Sequence, residues 1–172
     1  MNFLSSAKKR YSVRNYNSKR VEQEKLNLIL EAGRVAPTAA NYQPQRILVI
    51  QSEEGLAKIA KATNIFHAPL ALIVCGDKEK TWVRSYDSKN VVDIDASIVT
   101  DHMLHEATEL GLGSLWVCRF YPEILRKEFN IPENYEIVNI LVIGYTDEEP
   151  QSPDRHSVSR KPLTETVFYE TF

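Results

Sequence analysis

The sequence predicts a single mixed domain in which helices cover both faces of a central sheet, and three observations carry that prediction. The run Leu70-Ala71-Leu72-Ile73-Val74-Cys75 is apolar without a break, as expected of a strand buried on both faces. Segments with helical periodicity interleave with this and other strand-like runs. The length, 172 residues, is that of one ordinary domain able to bury a sizeable core.

In chain order, a short helix is expected to end near Arg10. Across residues 22–35, Leu26, Ile29, Leu30 and Gly33 recur at helical spacing, and Pro37 closes the pattern. Residues 46–51 read as a strand, and 54–62 as a short helix with Leu56, Ile59 and Ala60 on one face. After the buried strand at 70–75, the polar stretch 81–90 reads as a loop or excursion. Residues 92–110 form a long helix with Ile94, Ile98, Leu104 and Ala107 inward and Gly111 as C-cap. A third strand at 114–118, a short helix at 123–129 and a fourth strand at 137–145 complete the alternation. From Pro150 onward, prolines and polar residues end the regular pattern until a short β-like run at 166–169. This tail has too little apolar surface for a core of its own. It is expected to be disordered or laid across another surface, and a partner subunit's sheet edge is the natural one.

The formal net charge is −2, which argues against nucleic acid as a partner. Lys8, Lys9 and Arg10 follow closely on the N-terminus, so no signal peptide or membrane span is expected, and the protein is expected to be cytoplasmic. Cys75 and Cys118 lie in apolar runs that read as buried strands, which suits reduced core thiols better than a disulfide. No cysteine or histidine pair has metal-ligand spacing, so no metal is expected. His67 and His102 fit structural positions.

Four clusters carry potential chemistry. Arg10-Tyr11-Ser12-Val13-Arg14 places two guanidiniums and two hydroxyls within five residues, a donor set matched to a phosphorylated anion. Alone, it also fits a solvated helix end. Pro37-Thr38-Ala39-Ala40-Asn41-Tyr42-Gln43-Pro44 offers small residues that admit a flat ligand and amides that donate and accept at once, and it equally fits a helix-to-strand turn. Gly111-Leu112-Gly113-Ser114-Leu115-Trp116 follows the long helix. It lacks the third glycine and the strand-before-helix order of a dinucleotide fingerprint, and Gly111 also serves as a cap. Ser159-Arg160-Lys161-Pro162-Leu163 adds a basic pair in the tail, which by itself fits solvated surface.

Taken in order, these clusters resemble the FMN-dependent nitroreductase family, with its Arg-x-Ser-x-Arg opening, Pro-Ser/Thr-Ala-x-Asn-x-Gln-Pro turn, Leu-Gly-Leu-Gly-Ser-x-Trp segment and Arg-Lys-Pro-Leu tail. The match spans nearly the whole chain, with Thr38 where many members have serine. The resemblance implies an α+β fold, a three-layer α/β/α arrangement around a mostly antiparallel sheet of four or five strands. The tail would extend onto the partner of a homodimer with FMN at the interface. Carried over, Arg10, Ser12 and Arg160 would hold the phosphate, and Tyr11 would line the ribityl chain. Arg14 would stand near the flavin edge where negative charge collects on reduction. Pro37, Thr38, Ala39, Asn41 and Gln43 would come from the other chain. Gly113, Ser114, Trp116, Cys118 and Arg119 would border the flavin N5. Residues 64–67 and 80–90, with Trp82, Arg84 and Tyr86, are candidates for the substrate rim. The implied activity is ping-pong hydride transfer from NAD(P)H through FMN to a nitroaromatic, quinone or similar small acceptor, with no membrane or nucleic-acid partner. Two alternatives stay open: a flavin-binding relative without NAD(P)H turnover, and a non-redox module for another phosphorylated ligand.

Overall fold

A computed structural model describes residues 2–172. Its centre is a four-stranded sheet with strand order β1-β2-β6-β5, antiparallel throughout, formed by β1 (Gln45–Ile50), β2 (Leu70–Asp77), β5 (Gly113–Val117) and β6 (Tyr135–Gly144). The two inner strands are the apolar runs. All eight residues of β2 are buried, and its side chains alternate between two cores as the period of a strand requires.

Ala71, Ile73 and Cys75 point into one core with Ile140 and Val142 of β6, under α3 (Glu53–Ala60) and α5 (Pro122–Phe129). Leu70, Leu72 and Val74 point into the other with Leu141 and Ile143, under α2 (Gln23–Val35) and α4 (Val92–Glu109). Full burial of each Leu, Ile or Val among them contributes about 1.5–3 kcal/mol relative to exposure, so β2 and β6 anchor the three layers. The expected architecture of helices on both faces of an antiparallel sheet is therefore observed.

Four local expectations are corrected. Ile94 does not face inward: it is 48 % exposed. The inward set of α4 is Val92, Ala96, Val99, Met103, Leu104 and Ala107, and Ile94 lies two residues, about 200° of helical turn, from Ala96. Residues 81–90 are not a plain loop but a small hairpin of β3 (Val83–Arg84) and β4 (Lys89–Asn90). Arg84 closes it on Asp87, and Ser88 takes the left-handed conformation at φ 58° that reverses the chain.

No strand forms at 166–169. The tail contains short turns at Pro153–Arg155 and Leu163–Glu165 around α6 (His156–Ser159), where no helical period was expected. The Ser152 hydroxyl accepts the Asp154 N–H and Pro153 opens the turn, which is a local capping signal rather than a periodic one. A β-rich composition becomes a strand only with a neighbour to pair with, and no strand of this chain offers one there. The fourth correction is Cys118. It stands one residue beyond β5 and is exposed, whereas Cys75 is buried in β2, where burial pushes its thiol up to about 11. Among the described residues no helix is long and apolar enough to cross a membrane.

Candidate functional site

The N-terminal helix α1 (Phe3–Lys9) ends at Arg10, whose backbone turns to an extended conformation. The strap that follows runs beside β5. Ser12 bridges to Ser114 in parallel register, and the Val13 N–H donates to the Ser114 carbonyl at 3.1 Å. Alternation along this extended strap sends Val13 into the core at 0 % exposure and packs Tyr11 partly against it. Arg10, Ser12 and Arg14 fall on the other side.

Gly113 permits the contact: a Cβ there would stand 2.7 Å from Val13 Cγ2, which real side chains do not tolerate. Gly111, at φ 75°, ends the α4 turn in the left-handed conformation that favours glycine and delivers the chain into β5. The glycine pair therefore shapes the entry to β5 and admits the strap, while the resemblance implies that Gly113 borders a flavin.

The strap and β5 bound a cleft of about 750 Å³, within the roughly 300–1,000 Å³ usual for small-molecule sites. Arg14, Trp116, Cys118 and Arg119 line it, joined by Asn64 and Phe66 of the α3–β2 loop. Phe66 and His67 are both left-handed, at φ 54° and 61°, but His67 lines a neighbouring pocket behind α3 instead. The Thr63 hydroxyl donates to the Arg119 carbonyl at 2.7 Å and ties that loop to the end of β5.

Two polar side chains at this edge, Ser114 and Arg10, lack partners among the described residues. Ser114 is 2 % exposed and its Oγ has no hydrogen-bond partner, although buried hydroxyls ordinarily find one. Arg10 is half-buried and forms no ion pair among the described residues. Its pKa is lowered by burial first, then by the cations Arg155 and Arg160, with Asp101 opposing. Three guanidiniums thus gather where α1, the strap and the tail meet, a distribution that favours an anion.

The turn carrying Pro37, Thr38, Ala39, Asn41 and Gln43 lies elsewhere. It leads into β1, and β1 and β5 are opposite edges of the sheet with β2 and β6 between them. At the usual strand spacing the two edges are about 14 Å apart. Within one chain, the turn and the strap do not line the same cleft. The turn holds three left-handed residues, Ala40, Asn41 and Gln43 at φ 47°, 58° and 51°, a backbone state that costs energy unless its surroundings enforce it.

Thr38 enforces it from both ends, its carbonyl accepting the Asn41 N–H and its hydroxyl the Gln43 N–H. Asp95 of α4, 2 % exposed, accepts the Ala39 N–H at 2.9 Å, while its other carboxylate oxygen has no partner. Sequence reading missed Asp95, because an acidic residue in the first turn of a helix is expected for the dipole alone. It also missed Arg155, one arginine among several in a polar tail. Trp82, Arg84 and Tyr86 stand on the β3–β4 hairpin and do not line the cleft of their own chain. The hairpin follows the end of β2, where the Asp77 N–H donates to the Pro44 carbonyl of the turn.

Known proteins share the sequence pattern and the fold of this chain. The family model described as "Nitroreductase family" matches residues 7–66 and 62–145. A Methanothermobacter thermautotrophicus protein, provisionally named as an NADH dehydrogenase/NAD(P)H nitroreductase, is 31% identical over 163 residues, covering 90% of this chain and 82% of the relative. A nitroreductase family protein of Clostridium difficile has a crystal structure that superposes with a TM-score of 0.98 at 57% identity, over the whole of both chains. A Desulfovibrio desulfuricans protein crystallised in complex with FMN superposes at 0.81 with 27% identity, covering 100% of this chain and 98% of the other. By family model, sequence and fold alike, this chain belongs to the nitroreductase family.

Proposed function

We propose that this nitroreductase-family chain is an NAD(P)H-dependent oxidoreductase that carries FMN in the β5 cleft. The observation that carries the reading is that cations without an ion-pair partner among the described residues gather at the strap, and that the strap and β5, which carries the buried Ser114 hydroxyl, also wall a cleft of cofactor size through Arg14 and residues 115–117. FMN has a doubly charged phosphate for Arg10, Ser12 and Arg160, and a long body for the cleft beyond. The residues present therefore fit the group. Bound there, FMN would supply hydride chemistry, accepting from NAD(P)H and returning electrons to a nitroaromatic, quinone or similar acceptor in ping-pong order. The chain's own work is orientation and electrostatics. Arg10 and Arg160 would hold the phosphate end. Arg14, on the cleft wall, would supply a permanent positive charge to the flavin, favouring its reduced and more negative state.

The second half of the proposal is a homodimer. The turn from Pro37 to Gln43 is too far from β5 to serve its own cleft, yet it holds the exposed side chains of Asn41 and Gln43 on a strained backbone. A second copy would bring its turn to this cleft. The half-exposed Ile94, with Ile98 and Trp116 beside it on an open groove of α4, offers an apolar face for that contact. The later tail, with Phe168, Tyr169 and Phe172 exposed, extends the same arrangement onto the partner.

The purified protein should be yellow and bind one FMN per chain, and anaerobic NADH or NADPH should bleach it. A colourless protein that takes up no added FMN would refute the reading. Flavin that stays oxidised in excess of both nicotinamides would favour a binding protein without turnover.

A further inference from the structure

We infer that Arg155 is a positioning residue of the phosphate site, bracing Arg10 through its main chain and docking the tail that delivers Arg160. The inference rests on the FMN reading above. Helix α1 ends with carbonyls that its own N–H groups no longer satisfy. Arg155 reaches across from the tail and meets them: its Nη1 donates to the Lys8 carbonyl at 2.9 Å and its Nη2 to the Arg10 carbonyl. The same Nη1 also donates to the Ser152 carbonyl at 2.9 Å, which fixes the guanidinium to its own turn. His156 adds a contact from its Nε2 to the Lys8 carbonyl at 3.2 Å.

The contrast with Arg10 and Arg160 defines the role. Arg155 commits both donors of Nη1 and one of Nη2 to three carbonyls, so this end of its fork serves the protein backbone. Its charge is not cancelled by those neutral acceptors. The positive field at Arg10 therefore includes Arg155 as well as Arg160, in keeping with the lowered pKa of Arg10. A planar fork matters here because one side chain must span two residues of α1 and a turn of the tail together. A lysine ammonium keeps the charge but not the span. The tail, poor in apolar contacts, is thereby latched to the end of α1 beside the phosphate arginine.

The test compares FMN with riboflavin, which is the same flavin without its phosphate. Each is titrated by fluorescence into the full-length chain, as wild type, Arg155→Ala and Arg155→Lys. The expected result is FMN affinity about tenfold weaker in Arg155→Ala with riboflavin affinity unchanged, and a smaller FMN loss in Arg155→Lys. Equal losses for both flavins, or no loss for either, in both variants would overturn the inference, since a general structural role does not discriminate the phosphate. Should Arg155→Ala not fold, Arg155→Lys is read by the same criterion. A wild-type protein that binds neither flavin overturns the FMN reading itself, and this inference with it.

Discussion

At the β5 edge of the sheet, the Arg10 guanidinium and the Ser114 hydroxyl have no partner among the described residues, whereas at the start of β1 the turn around Ala40, Asn41 and Gln43 is cross-tied by Thr38 and Asp95. The first edge stores unmet electrostatic demand on relaxed backbone. The second stores backbone strain and meets its internal hydrogen bonds. The difference teaches that the two halves of the proposed site are built for different tasks. One waits for a charged group to be brought in, and the other presents exposed amides from a rigid mount. In the homodimer proposed above, a ligand touching both would join two chains, since β2 and β6 separate the two edges of one chain.

The contrast can be broken most severely at Gly113. Changing Gly113→Val drives a side chain into Val13 and should lift the strap from β5. A loss of about 1–3 kcal/mol is expected from overpacking, seen as a Tm several degrees lower and, under the FMN reading, as a preparation almost free of flavin. Normal flavin content in a stable Gly113→Val protein would remove the strap from the site.

Next in size is the division of labour within the strap. Arg10→Ala should weaken FMN binding about 10- to 100-fold, as expected for the loss of a charge-assisted phosphate contact. Arg14→Gln should leave most of the flavin bound and slow its reduction by nicotinamide. Equilibrium titration and stopped-flow absorbance separate the two, and identical defects would mean the strap acts as one undivided anion patch.

A smaller effect is expected at the turn. Asp95→Ala strands the Ala39 N–H and should cost about 1–3 kcal/mol, whereas Asp95→Asn retains an acceptor and should cost less than half as much. If flavin content falls with Asp95→Ala while the strap is untouched, the turn contributes to the cleft of another chain. Unchanged flavin in a destabilised protein would confine Asp95 to the fold.

The smallest effect belongs to a site on neither edge and provides the baseline. Glu22 accepts from the Tyr145 hydroxyl at 2.7 Å and pairs with Lys19. The hydrogen bond from Tyr145, first among its causes, holds its pKa at about 2 against an ordinary 4.5. A carboxylate with a depressed folded-state pKa contributes stability that is present above 4.5 and lost as pH falls toward 2. Glu22→Gln should therefore flatten the acid limb of a Tm-versus-pH profile in that window and leave neutral-pH flavin binding alone. Exposure to solvent keeps the effect modest.

Much of this was legible in the chain itself. The unbroken apolar run at 70–75 announced a strand buried on both faces, and the helical spacing at 22–35 announced its cover, because burial leaves a periodic mark wherever an element has a fixed inside. The marks fail where burial is not periodic. Ile94 carried the chemistry of a core residue but sits on the open side of α4, and Cys118 looked like the end of a strand but lies just past it. The tail's β-like run found no ladder, and its short helical turn came from a Ser-Pro cap too local to show as a pattern.

By itself the sequence determined which chemistries are available: the arginines and serine of the strap, the small residues and amides of the turn, the glycines before Trp116 and the basic pair of the tail. These follow from residue identity and short-range spacing. Only the tertiary structure decided which of them meet. It placed the strap on β5 through the Ser12–Ser114 bridge, brought Arg155 and Arg160 to Arg10, and set the turn on the opposite edge. Strand order and edge assignment depend on pairings between residues distant in sequence, as at Leu70 and Ile143, and the place of the strap depends on the still more distant pair Ser12 and Ser114; no local pattern of hydrophobicity encodes such pairings.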